Sequence, residues 1–164
     1  MHMEIRQAVA GDLPELLQIY NDIIRNTTAV WHNAPFSADR MGLWFDDRMQ
    51  MGYPVFVAVD KGAIAGYSSF GPFRAWEGYR FTVECSVYVR DGMRGEGVGV
   101  KLLMPLIDAA RGLGLHAMIA GIDAENNASL HLFRKLGFQE VAHLPQVGQK
   151  FGRWLDLKLL QLML

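Results

Sequence analysis

Apolar residues recur along the chain with two different periods, and the switches between them divide it into elements. Residues 4–8 are short and alternating, which predicts a first strand. Asp12-Leu13-Pro14-Glu15 then supplies an N-cap acid, a proline in the first turn and a capping-box glutamate. They precede Leu16, Leu17, Ile19, Tyr20, Ile23 and Ile24, the apolar stripe of an amphipathic helix. Ser37 offers a second N-cap, and Met41, Trp44, Phe45 and Met49 share one helical face, so a helix is predicted over 37–50. From Pro54 the period becomes that of a strand: residues 55–59, a turn at Asp60-Lys61-Gly62 and residues 64–70 read as a hairpin. Residues 71–79 are a loop. Residues 81–89 form a strand whose faces differ, with Thr82, Glu84, Ser86 and Tyr88 on one and Val83, Cys85, Val87 and Val89 on the other. Beyond a glycine-rich stretch come a helix to about Leu113 closed by Gly114, a strand over 116–122 and a helix over 127–136 ended by Gly137. Two last strands lie near 138–144 and 154–164.

The order β-α-α-β-β-β-α-β-α-β-β mixes hairpins with crossover units, which predicts an α/β or α+β sheet with helices on both faces. Glycine and proline are scattered as turn punctuation, with no repeat and no linker-like cluster, so residues 1–164 read as a single domain.

Composition narrows the function. The chain has 16 Lys and Arg against 17 Asp and Glu, so it lacks the basic excess that nucleic acid or an anionic membrane would call for. Met1-His2-Met3-Glu4-Ile5-Arg6 shows no basic segment followed by an apolar run, and no stretch approaches the ~20 apolar residues of a membrane span. A soluble, cytoplasmic protein is expected. The lone Cys85 excludes an intramolecular disulfide and any CxxC-type metal cluster, so no metal is expected. At 51% hydrophobic, either the core is dense or a partner covers apolar surface, and an oligomer is the preferred reading.

The chemistry concentrates after the two-faced strand, in Arg90-Asp91-Gly92-Met93-Arg94-Gly95-Glu96-Gly97-Val98-Gly99-Val100-Lys101. Glycines at alternate positions let successive backbone N–H groups turn inward, the following helix adds its unpaired N–H groups and dipole, and Arg94 adds a charge. A diphosphate fits such a cradle. The P-loop requires Gly-Lys-Ser/Thr, whereas Gly99 is followed by Val100-Lys101-Leu102. The dinucleotide fingerprint requires G-x-G-x-x-G near the first strand, and Gly95-x-Gly97-x-Gly99 has neither that spacing nor that place.

Arg94, Gly97 and Gly99 match the Arg/Gln-x-x-Gly-x-Gly loop of the GNAT superfamily of N-acetyltransferases, which the chain resembles over nearly its whole length. Asn126-x-x-Ser129 and Leu136-Gly137-Phe138 resemble later elements of that family. Thr82-Val83-Glu84, Ser86-Val87-Tyr88-Val89 and the run from Pro145 through Gln149-Lys150-Phe151-Gly152-Arg153 to Leu157 resemble its phosphinothricin and methionine sulfone/sulfoximine acetyltransferase branch. The resemblance implies a mixed, mostly antiparallel sheet of about seven strands, splayed at the cofactor strand. It implies acetyl-CoA as co-substrate, a small amino acid analogue as amine acceptor and a homodimer.

Carried over residue by residue, it implies that Val87, Tyr88 and Val89 meet the pantetheine arm and that Gly95, Glu96, Gly97, Val98, Gly99 and Val100, with Arg94, hold the pyrophosphate. Asn126 is either a cofactor contact or a plain helix N-cap. Glu84, shortly before the pantetheine contacts, is read as the base that takes the ammonium proton and as a substrate contact; the alternative is an ion pair with Arg74 or Arg80. A backbone N–H near Val87 is the expected oxyanion donor. Arg74, Ala75 and Trp76 are the implied acceptor contacts, Arg74 for a carboxylate; the competing readings are a solvated loop charge and a core or interface tryptophan. A peptide N-acetyltransferase and a non-catalytic acyl-CoA-binding regulator are the other functions considered. Two positions depart from the family pattern: Phe133 stands where many relatives have a tyrosine acid, and Cys85 where the branch has histidine. The acid is left among His131, Tyr88 and water. The apolar C-terminal residues from Leu155 to Leu164 suit either a dimer interface or a buried last strand.

Overall fold

A computed structural model of the protein describes residues 2–164. Its centre is a seven-stranded sheet in the order β1-β2-β3-β4-β5-β7-β6. The strands are β1 (Glu4–Gln7), β2 (Val55–Asp60), β3 (Ala63–Pro72), β4 (Thr82–Val89), β5 (Ala117–Asp123), β6 (Gln139–Lys150) and β7 (Arg153–Met163). Every neighbouring pair is antiparallel except β4 and β5. The helices are α1 (Leu13–Asn26), α2 (Ala38–Met51), α3 (Val98–Gly112) and α4 (Asn127–Lys135). Among the described residues no helix is long and apolar enough to cross a membrane.

The sheet is covered on both faces, because strand side chains alternate and each face has its own helix pair. On one face Leu16, Ile19 and Phe45 of α1 and α2 pack on Val55, Val57 and Tyr67. On the other, Leu103, Leu106, Leu130 and Phe133 of α3 and α4 pack on Phe70, Val83, Met118 and Leu160. Burying a side chain of this size contributes about 1.5–3 kcal/mol, so these two layers supply most of the driving force.

Local signals place most boundaries. Ser37 caps α2 by accepting from the Arg40 N–H at 3.1 Å, and Gly52 ends that helix in the left-handed conformation. The α1 start is built differently from its sequence reading. Asp12 makes no cap bond to α1; its carboxylate accepts from Arg6 at 2.7 and 2.9 Å and from the Val9 N–H at 2.8 Å. Glu15 reaches across to β3 and β4, accepting from the Ile64 N–H and from Arg90, each at 2.9 Å. Strand β6 also continues past the expected end at Leu144, through Pro145, to Lys150. It is the outermost strand, where a residue without an N–H can face solvent, and its register slips between Leu144 and Gly148.

Candidate functional site

Strands β4 and β5 pair only from Thr82↔Ala117 to Glu84↔Ile119. Beyond that β4 stays with β3 as far as Val89, while β5 stays with β7 as far as Asp123. The second half of β4 therefore turns an unpaired backbone edge into a fork, and polar groups on such an edge call for a partner. The glycine loop follows at once. Gly95 and Gly97 have φ of 82° and 78°, a region that side-chain-bearing residues avoid, and Gly97 is the N-cap of α3 without a side-chain cap. The first N–H groups of α3 are thus left for a ligand, at the positive end of the helix dipole.

Fork and loop open on a cavity of ≈ 600 Å³. Val87, Tyr88, Val89, Arg94, Gly95, Gly97, Val98, Gly99, Val100 and Asn126 line it together. Glu96 does not line it and is exposed. Asn126 is the α4 cap, Oδ1 accepting from the Ser129 N–H at 3.2 Å, and it also borders the cavity. The unpaired edge, the uncapped helix start and Arg94 match a long donor with amide groups and a pyrophosphate, and acetyl-CoA has both.

The cavity also has a wall that the sequence reading missed. Thr27, Thr28 and Ala29 line it from the segment after α1. The Thr28 hydroxyl donates to the buried Asp123 at the end of β5, and the Glu125 N–H donates to the same carboxylate at 3.0 Å. Lys150, 2% exposed, anchors this segment from the β6–β7 hairpin by donating to the carbonyls of Ile24, Thr27 and Val30 at 2.6, 2.7 and 2.6 Å. His131, Leu132 and Lys135 complete the wall from α4, where a helical spacing of polar residues was the available signal.

Glu84 stands at the fork itself. Its Oε2 lies 3.4 Å from where a Cβ on Gly121 of β5 would be. Among the described residues it forms no ion pair with Arg74 or Arg80; Arg80 lies over the Phe81 ring instead. Protein packed around the carboxyl raises its pKa, although the side chain keeps contact with solvent. Cys85 points to the opposite face, into the α3–α4 layer, and burial pushes its thiol far up, which leaves it inert.

A second cavity, of ≈ 280 Å³, lies on the α1–α2 face. Tyr67, Ser69, Ser86 and Tyr88 form its floor and Tyr20, Phe36, Trp44 and Arg48 are among its walls. Tyr88 borders both cavities and is packed between Tyr20 and Tyr67 at ring distances of 5.2 and 5.1 Å. Burial raises the Tyr88 phenol, so it stays protonated at neutral pH. Of the acids considered, Tyr88 stands at the junction and His131 only in the larger cavity, while Phe133 is core, edge-on to Phe138 at 5.0 Å. Arg74, Ala75 and Trp76 are exposed and line neither cavity; Arg74 sits over Phe73, and Trp76 is 77% exposed.

Comparison with known proteins agrees with this geometry. The acetyltransferase (GNAT) family model matches residues 16–138. The chain is 53% identical, over 99% of its length and 95% of the relative's, to an L-methionine sulfoximine/L-methionine sulfone acetyltransferase of Pseudomonas aeruginosa. A solved ribosomal-protein-alanine N-acetyltransferase from Brucella melitensis superposes with a TM-score of 0.97 at 48% identity, covering 98% of this chain and 99% of that one. A phosphinothricin acetyltransferase from Sinorhizobium meliloti in complex with acetyl-CoA gives a TM-score of 0.97 at 38% identity, covering 100% of this chain and 89% of that one.

Proposed function

The chain belongs to the acetyltransferase (GNAT) family, and from that premise we propose that it moves the acetyl group of acetyl-CoA to the α-amine of a small amino acid analogue of methionine sulfone, methionine sulfoximine or phosphinothricin type. The observation that carries the acceptor class is the second cavity: ≈ 280 Å³, walled by aromatic side chains and sharing only Tyr88 with the lining of the donor groove. A site of that size takes one small polar molecule. A peptide needs an open groove.

Acetyl-CoA supplies the activated acetyl group. The protein's part is to hold the donor, free the amine of its proton and polarise the reacting carbonyl. The β4 edge at Val87, Tyr88 and Val89 receives the pantetheine arm, and Arg94 with Gly95, Gly97, Val98, Gly99 and Val100 receives the pyrophosphate, with Asn126 alongside. Glu84 takes the ammonium proton, directly or through one water; a carboxyl raised towards neutrality is a better partner for that transfer than an ordinary one. A backbone N–H of the unpaired edge stabilises the developing oxyanion, and the Tyr88 hydroxyl gives a hydrogen bond to the departing sulfur. Arg74, Ala75 and Trp76, on the loop that leaves β3 beyond the Gly71–Glu84 pair, contact the acceptor from the solvent side. The protein works in the cytoplasm as a homodimer, with exposed Val141, Val147 and Trp154 of the β6–β7 hairpin among the residues a second copy covers.

Thiol release from acetyl-CoA, measured with methionine sulfone, methionine sulfoximine, phosphinothricin and a peptide with N-terminal alanine, tests the reading. Turnover of at least one of the three analogues is expected. Turnover of the peptide alone assigns the chain to protein acetylation, the activity for which the Brucella structure is named. Tight acetyl-CoA binding with no turnover of any amine refutes both.

A further inference from the structure

Arg48 belongs to a helix that faces solvent over most of its surface, yet its guanidinium is drawn inward over the sheet. Trp44, one turn earlier, lies 5.4 Å from Cζ, ring centroid to carbon. Gly71 of β3 lies under the fork: a Cβ there would stand 2.6 Å from Nη2 and 2.8 Å from Cζ, so the guanidinium occupies space that only glycine leaves open. Nε is buried with no hydrogen-bond partner, and among the described residues no carboxylate lies within ion-pair distance. Burial lowers the Arg48 pKa, and the neighbouring Asp47 only partly offsets that. A guanidinium remains charged under such conditions, and one that is half-buried, with Nε unpartnered and no carboxylate in reach, is stabilised by an anion that pairs with it. Here the missing partner is an anion that enters the smaller cavity, which Arg48 lines.

The register says which anion. Gly71, under the guanidinium, pairs with Glu84 across β3 and β4, and Ser69 pairs with Ser86 on the cavity floor, so Glu84 belongs to the next pair on that face, on the side of Arg48, without itself lining the cavity. An acceptor whose amine faces Glu84 would bring the other charged group of its α-carbon towards Arg48. A sulfone oxygen carries no net charge to balance a guanidinium, whereas a carboxylate does and also matches its two-pronged geometry. We propose that Arg48 binds the α-carboxylate of the acceptor, bidentately, while Glu84, paired across the strands with Gly71, meets the α-amine. The proposal rests on the amino acid acceptor put forward above and moves the carboxylate contact from the exposed Arg74 to the half-buried Arg48.

The test compares methionine sulfone with its decarboxylated counterpart, 3-(methylsulfonyl)propan-1-amine, as acceptors for the parent, Arg48→Met and Gly71→Ala. The glycine variant keeps the charge and displaces the guanidinium, so it serves even where Arg48→Met fails to fold. Both variants are expected to lower kcat/KM for methionine sulfone on the order of 100-fold, mostly through KM, with the decarboxylated amine changed by less than about threefold and KM for acetyl-CoA unmoved. Equal losses on both acceptors overturn the assignment, as does a loss that follows the sulfone when methionine replaces methionine sulfone. Should the parent turn over no amino acid analogue, calorimetric titration of methionine sulfone into the CoA-bound protein separates the two claims. Binding abolished by either variant upholds Arg48 with the proposed reaction gone; binding that survives both, or no binding to the parent, overturns Arg48 as well.

Discussion

Replacing Lys150 by methionine removes one ammonium while keeping most of the stem, and the structure sets the size of the effect. Nζ donates to three carbonyls, those of Ile24, Thr27 and Val30, from a position 2% exposed. Ile24 and Thr27 lie where α1 ends, so their carbonyls have run out of intrahelical donors and sit at the negative end of the helix dipole. Leaving a buried acceptor unsatisfied costs about 1–3 kcal/mol each. Against that, the variant no longer has to desolvate an ammonium whose pKa burial has already lowered, and the segment after α1 can relax towards water. The expected net loss is about 3 kcal/mol, the low end of the three-acceptor sum. In a chain of this size that lowers Tm by about 6–12 °C. Urea and thermal unfolding followed by circular dichroism measure it. Because the anchored segment carries Thr27 and Thr28 of the donor cavity, KM for acetyl-CoA should rise as well, about fivefold for a slight misplacement. A variant within about 1 kcal/mol of the parent, with KM unaltered, would mean that water replaces all three bonds without loss and that the hairpin does not hold this wall.

Three other outcomes follow from the site and its supports. Glu84→Gln should lower kcat by about 100-fold or more with KM for acetyl-CoA unchanged. Since the active form of Glu84 is ionised and burial raises its pKa, kcat/KM should climb with pH through a limb above the usual carboxyl range and absent from the variant; a limb at the ordinary position, or one shared by both proteins, contradicts the role. Gly97→Val forces a β-branched residue to φ 78°, a strain of about 1–2 kcal/mol at least, and calorimetry should show acetyl-CoA affinity down by about tenfold or more. The Arg6 guanidinium holds the Asp12 carboxyl below the usual range, so its contribution is complete above the unfolded carboxyl value of about 3.9 and is lost as pH falls through the lower folded value. Urea midpoints of the parent should therefore fall more steeply than those of Asp12→Asn over that acid window, and parallel profiles would exclude the linkage.

What could be read from the sequence was whatever depends on residues close in the chain. The Ser37 cap, the glycine loop with its strand before and helix after, and the two faces of β4 are local devices, and each stands where the pattern puts it. The misses are decided by distant residues. Glu15 looks like a capping-box acid from its neighbours, but its partners lie 49 and 75 positions away on β3 and at the end of β4. Pro145 ends a strand on local rules; it is accepted because β6 happens to be outermost, a fact of sheet order. Arg48 lies outside the apolar set Met41, Trp44, Phe45 and Met49, and its place over the sheet follows from a glycine on another element. Thr27 and Thr28 are ordinary loop residues until Asp123 and Lys150 fold against them.

The short pairing of β4 with β5 has a mechanical side. The sheet is two leaves, β1 to β4 and β5 with β7 and β6, and the backbone joins them only along the short stretch from Phe81, whose carbonyl accepts from the His116 and Ala117 N–H groups, to Glu84. The α3–α4 layer spans both leaves, packing on Phe70 and Val83 of one and on Met118 and Leu160 of the other, so only the fork beyond Glu84 has an opening angle left to be set by what is wedged there. A donor lying along the free edge would lengthen the seam and fix that angle, so the stiffness of the fork becomes a property of occupancy. Amide exchange at the first half of β5, far from any bound phosphate, would then report whether the groove is full.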